Sequence, residues 1–316
     1  MTDERYSRLR FLQGQSLDDC FVLVEYSLYE DFKDTEEMEW SLIHLFEGTR
    51  LPFLTGPGEA DSLWVSPAGT IYLVARTNEG YGLHVGRPRT DGYVWRLQET
   101  VRSETTFVRE AWGVSENEVI CWGGGILTPS PPSDSGLPPV QLDLPTCWIG
   151  SGDTWMQHPG PGWVHGMGGR RIDDLVAVGN HGLIAYWDGT QWEKDLAQLS
   201  MDMSFVQVTP SGEIYGASYY GRVFKRTDTG WKEVGVQMGS IYGMVQWQGK
   251  ILIATGYGLH RVEGNEIVIE QPHIDVRRIW AGKTLLWSDE VAVHEIGGAA
   301  ERSILCKEIF GHKETL

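Results

Sequence analysis

Two adjacent arginine pairs, Arg170-Arg171 and Arg277-Arg278, together with Tyr242 and Glu110, are the residues of this sequence whose types could do chemistry. Arginines fork onto a carboxylate, a tyrosine partnered by a glutamate can attack, and an aspartate can carry the proton. Cleavage of an acidic glycoside uses such a set. Each of these residues flanks a β-like run, where arginine ordinarily serves as a solvated or ion-paired strand end. Acids are abundant, 43 in all, without a spacing that pairs two of them for proton transfer. The nine histidines are dispersed, none two or four positions from another, and Cys20, Cys121, Cys147 and Cys306 form no C-x-x-C, so neither metal nor cofactor is expected. Asp173-Asp174 reads as a turn after Ile172. Gly123-Gly124-Gly125 and Gly166-Met167-Gly168-Gly169 precede no helix and no G-K-[ST], which removes the phosphate-loop reading.

The elements that would position these residues are written most plainly between positions 163 and 234, where the chain says nearly the same thing twice. Each copy has an apolar strand, a polar turn and a second strand (175–178, 214–217). A glycine-closed turn (Gly182, Gly221), a third strand and an Asp/Gly turn into tryptophan (Trp192, Trp231) follow. The two glycines lie 39 positions apart, close to the period of a four-stranded propeller blade. Opening strands at Phe21, Leu63, Phe107, Val164, Phe205, Ile241 and Val276 then predict an all-β fold. It is a single β-propeller over 1–316 of seven four-stranded blades, with six as the alternative. Helical periodicity with caps is absent, which sets a helical solenoid aside.

Residues 1–19 are polar and read as a lead-in, and 30–39 is an acidic run. Residues 128–146 hold six prolines in nineteen positions; each lacks a donor N–H, so the segment is expected to leave the sheet as a projecting loop. An open ring would expose unpaired strand edges. A terminal strand, 21–26 or 304–310, is therefore expected to complete the other terminus's blade.

The recurring turn, Asp91-Gly92 to Trp95, Asp153 to Trp155, Asp188-Gly189 to Trp192 and Asp228 to Trp231, places aspartate and glycine where a tight turn needs them and starts the outer strand on an indole. Burying an indole removes about 150–250 Å² from water, roughly 4–6 kcal/mol gross, so packing between blades accounts for these tryptophans. The string Ala177-Val178-Gly179-Asn180-His181-Gly182-Leu183-Ile184, followed by Tyr186-Trp187-Asp188-Gly189 and Trp192, resembles bacterial BNR/Asp-box-type repeats and those of photosystem-assembly-factor-like propellers. The resemblance implies a propeller, WD-repeat-like in its blades. The sialidase box S-x-D-x-G-x-x-W is not met, since Ser151-Gly152-Asp153-Thr154-Trp155 lacks its later glycine and its spacing.

The net charge of −17 repels nucleic-acid phosphates and anionic membranes and would speed association with a basic protein roughly 10- to 1,000-fold at low salt. No segment is apolar and long enough to cross a membrane as a helix. Scattered thiols and the lack of a secretory leader give a cytoplasmic expectation. The function expected is non-enzymatic binding of another protein of basic character. By analogy of fold and charge this would be an immunity protein neutralising a basic toxin domain. The alternatives are a glycosidase- or lyase-like enzyme in the central channel and a carbohydrate-binding propeller. The binding residues expected at the channel mouth are Trp64, Trp112, His165, Arg170, Tyr242 and Trp280.

Overall fold

The computed structural model describes residues 6–27, 38–77, 80–90, 92–98, 106–126, 143–151, 154–196, 199–236, 239–297 and 301–310. They form seven four-stranded antiparallel sheets, each built from four consecutive strands. The innermost strands, from blade 1 to blade 7, are Tyr6–Ser16, Ala60–Val65, Thr106–Ser115, Val164–Arg171, Phe205–Val208, Ile241–Trp247 and Arg278–Ala281. Each touches the next around the ring, and the seventh touches the first. The chain is a seven-bladed β-propeller.

The first strand corrects the reading of the N-terminus. Tyr6–Ser16 is the innermost strand of blade 1 and not a lead-in; Asp19–Ser27, expected to open the blade, is its second strand. Its polar look has a physical cause, because an innermost strand borders the axis of the ring as well as a core. Leu9 and Leu12 enter the core shared with blade 7, and Phe11 enters the core shared with blade 2. Gln13 is buried between blades, donating to the Leu63 carbonyl at 2.5 Å and accepting from the Val65 N–H at 2.7 Å. The acidic run at 30–37 lies outside the described residues. So does most of the proline-rich segment, of which 143–146 belong to the strand Asp143–Ser151.

Closure differs from expectation too. The last described strand, Arg302–Leu305, stays in its own blade, and among the described residues no strand is exchanged across the seam. Side chains bolt blade 7 to blade 1 instead. Glu295, almost fully buried, accepts from the Leu17 N–H at 3.0 Å and the Thr284 hydroxyl at 2.8 Å. Arg302 forks onto Asp18 with contacts of 2.5 and 2.6 Å. The segment expected to be strand-like to its end turns helical at Cys306–Phe310. Ile309 enters the core shared by Leu12, Val22, Leu286 and Val293, and the Phe310 carbonyl accepts from Arg50 at 2.8 Å.

The repeated tryptophans are wedges. Trp95 lies over Gly86, and Trp155 over Gly150, so closely that a Cβ on either glycine would sit 2.9 or 2.7 Å from the indole. Of the fourteen tryptophans only Trp163 is exposed, which removes the support a sugar-stacking surface would need. All four cysteines are free and buried; burial pushes every thiol up, Cys147 and Cys306 to about 11, so none is poised as a thiolate.

Candidate functional site

Because every blade runs inside to outside, all inner strands begin on one face of the disc, and there the sequence builds a collar. In blades 1, 2, 3, 4 and 6 the pairing register skips one residue near the start of the inner strand: Arg10, Asp61, Arg109, His165 and Tyr242. A bulge takes its extra residue out of the strand ladder and re-aims the side chain, which is why such irregularities gather at functional sites. Arg277, just ahead of the inner strand of blade 7, completes the set by donating Nη1–H to the Tyr242 hydroxyl at 2.9 Å.

Buried groups fix the collar from behind. Glu25, 0 % exposed, accepts from Arg8 at 2.8 Å, lies 3.8 Å from Arg10 and takes the Ala60 N–H at 3.3 Å. Arg278 donates Nε–H to the Arg10 carbonyl at 2.5 Å and Nη1–H to the Arg277 carbonyl at 2.7 Å. Burial, then repulsion from Arg10 and Arg8, lowers its guanidinium to about 10, still fully charged at neutral pH. Glu110, beside Arg109, is pushed up to about 7, chiefly by burial, with Arg109 opposing and Asp61 adding to the rise. Among the described residues of the collar, a carboxyl raised this far towards neutrality is suited to proton transfer.

Above the collar, the loops joining second to third strands in blades 5 and 6 raise Tyr219, Tyr220 and Tyr257, which are 43 %, 78 % and 64 % exposed. Tyr219 sits edge-on to Tyr220 at 5.6 Å and to Tyr242 at 6.1 Å. Arg277 stands over the Tyr242 ring at 4.9 Å and is paired with Asp275 at 2.6 Å and Glu290 at 3.1 Å. The outcome is a tyrosine rim beside a mixed-charge mouth.

The six residues expected at the mouth are divided among the collar, the cores between blades and the opposite end of the ring. His165 and Tyr242 are in the collar, the former bonded through Nε2 to Asn180. Trp64 is a core residue, its ring 5.4 Å from Tyr72. Trp112 packs half-buried on the cores to either side of blade 3. Trp280 packs both on the blade 1–7 core and on the blade 2–3 core, so it reaches across the far end of the channel. Arg170, a bulged residue at that far end, is exposed and paired with Asp174 at 2.6 Å. Sequence reasoning missed Arg10, Asp61 and Arg109, and it treated Arg277 only as a component of a catalytic set. Their shared feature is a register skip, which depends on the partner strand and leaves no mark in the residue's own neighbourhood. Among the described residues no group of three His, Cys, Asp or Glu could hold a metal ion, and no helix is long and apolar enough to cross a membrane.

No family profile and no curated protein sequence matches the chain. Solved structures do. The chain is similar to the Pyrococcus horikoshii acylaminoacyl peptidase (TM-score 0.57, 14 % identity), matching over 94 % of its own length and spanning about half, 52 %, of the peptidase. It is similar to YCF48 bound to D1 peptide (TM-score 0.58, 10 % identity; 90 % of this chain, 91 % of that one). It is also similar to Saccharomyces cerevisiae Sqt1 (0.57, 13 %; 96 % and 86 %). At these identities the likeness is one of fold.

Proposed function

We propose that the protein is a non-enzymatic, protein-binding propeller whose partner docks on the collar face. The observation that carries this is the rim of Tyr219, Tyr220 and Tyr257, large rings held in solvent beside a mouth already ordered by ion pairs. Tyrosine and arginine are enriched among the residues that matter most at protein interfaces, and tyrosine offers large contact area with little entropy to lose. YCF48, whose structure was solved with a D1 peptide, lends support from the same fold. The overall charge of −17 favours a basic partner through long-range steering, while the short-range contacts at the mouth are aromatic and of both signs. The narrower form of the proposal is a cytoplasmic immunity protein covering a basic toxin domain; its support is charge and scattered reduced thiols alone.

The experiment is capture of interacting proteins by the wild-type chain and by a Tyr220→Ala/Tyr257→Ala variant, at low and at high salt, with the partner identified by mass spectrometry. A basic partner retained by the wild type at low salt, lost at high salt and lost by the variant is the expected result. Equal capture by both chains removes the collar face from the proposal.

One observation favours a second reading. Glu110, with a pKa of about 7, could act as a proton donor in a glycosidase- or lyase-like channel enzyme, with Asp61 as the neighbouring carboxylate. Turnover of a reporter glycoside that disappears in Glu110→Gln would replace the binding reading with this one.

A further inference from the structure

The opposite face carries a second feature that the collar does not use. Between blades 1 and 2, where the inner strands end, a cleft of about 220 Å³ is lined by Asp19, Phe21, Tyr93 and Trp280 and by the turn Ser66–Gly69. We propose that this cleft is a receptor for the head of a single basic side chain, lysine or arginine, presented by a peptide or protein.

The chemistry is that of an aromatic enclosure with one carboxylate. Phe21 and Tyr93 meet edge-on at 6.1 Å, and Phe21 is stacked from behind by His44 at 4.2 Å, which holds the ring in place. Trp280 supplies the third ring from blade 7. A cation over aromatic faces is attracted by their electron-rich π-clouds, more strongly as water leaves. Asp19 takes the His44 Nε2–H on Oδ1 at 2.9 Å. Among the described residues its other oxygen has no partner. The lining contains no lysine and no arginine, so beyond the His44 bond no cation of the cleft meets the carboxylate. Tyr93 registers that charge: its hydroxyl is raised above the usual phenol range by burial and then by Asp19.

Size and rigidity select the occupant. Drug-sized ligands fill clefts of about 300–1,000 Å³, so this one admits a side-chain head and little more. Its walls are preformed. Gln13 ties the two blades together through Leu63 and Val65, the Tyr93 hydroxyl donates to the Gly69 carbonyl at 3.0 Å, and the turn is closed by Ser66 and Thr70 at 2.8 Å. The site lies on the face away from the tyrosine rim and does not rest on the collar reading.

The test uses Gly-flanked peptides bearing a single arginine, lysine or glutamate, titrated calorimetrically into the full chain at low salt. The arginine or lysine peptide binds and the glutamate peptide does not. Asp19→Asn weakens binding at least tenfold, and so does Tyr93→Leu, provided each variant keeps the wild-type melting temperature within a few degrees. Glu193→Gln, an equal loss of charge on an exposed outer strand, leaves affinity unchanged and separates the cleft from the general attraction of an acidic protein for cations. If both wild-type-like melting and wild-type affinity persist in Asp19→Asn, or if Glu193→Gln costs as much, the cleft is not the receptor. Should Tyr93→Leu unfold, Asp19→Asn decides alone, being isosteric.

Discussion

Arg277 and Tyr242 belong to neighbouring blades and are joined twice, by a hydrogen bond of 2.9 Å and by a guanidinium standing 4.9 Å above the ring. The pair therefore couples the mouth across a blade boundary. Tyr242→Phe keeps the ring contact and removes the bond, and should cost about 1 kcal/mol in urea unfolding. Tyr242→Ala also removes the ring and should cost clearly more. Equal losses in the two variants would show that the hydroxyl carries the whole coupling.

Glu110 gives a pH signature. Its folded pKa of about 7 exceeds the ordinary carboxylate value, so the native state holds a proton that the unfolded chain has released. The favourable contribution is complete below the unfolded pKa and is lost as pH rises from about 4.5 through 7. Glu110→Gln should therefore stabilise the protein at pH 8, by about 1–3 kcal/mol allowing for water in the channel, and change little at pH 4. Thermal melts of both chains across that range check the sign, and a benefit confined to acid would reverse the argument.

The seam offers a contrast of buried against exposed charge. Glu295→Ala strands two buried donors, on Leu17 and Thr284, and should destabilise by about 2–4 kcal/mol. Asp18→Asn breaks the exposed pair with Arg302 and should cost under about 1 kcal/mol. Arg302 holds the Asp18 carboxyl below the usual range, so that small contribution is present near neutrality and fades as acid protonates it. Denaturant curves for the two variants at pH 7 measure the difference directly.

Ile309→Ala tests the terminal helix. The side chain is 1 % exposed in a core drawn from both ends of the chain, and its truncation should cost about 2–4 kcal/mol. A loss under 0.5 kcal/mol would mean that the helix only rests on the seam.

Blades 4 and 5 were legible because their turns need glycine and aspartate at fixed places and their outer strands begin on an indole. Seven units and their opening strands followed for blades 2 to 7. Blade 1 misled at Tyr6–Ser16 because arginine and glutamine alternate with leucine there, a pattern that reads as solvated chain until the channel is known. At the collar, His165 and Tyr242 stood out as polar residues at strand starts. Arg10, Asp61 and Arg109 did not, since a bulge is a property of two strands and neither strand alone announces it. Trp64 and Trp112 pack between the sheets, where indoles this large have most to gain, and Trp280 lies at the opposite end of the ring from the collar.

Because the described strands of each sheet are consecutive in the chain, every sheet can be finished as soon as its own stretch has left the ribosome. Nothing made early must wait, half-paired, for the last residues to arrive. What remains until the end is the docking of two finished edges, sealed by Glu295, Arg302 and Ile309, so synthesis leaves a sticky, open crescent for only the interval before the terminal helix appears.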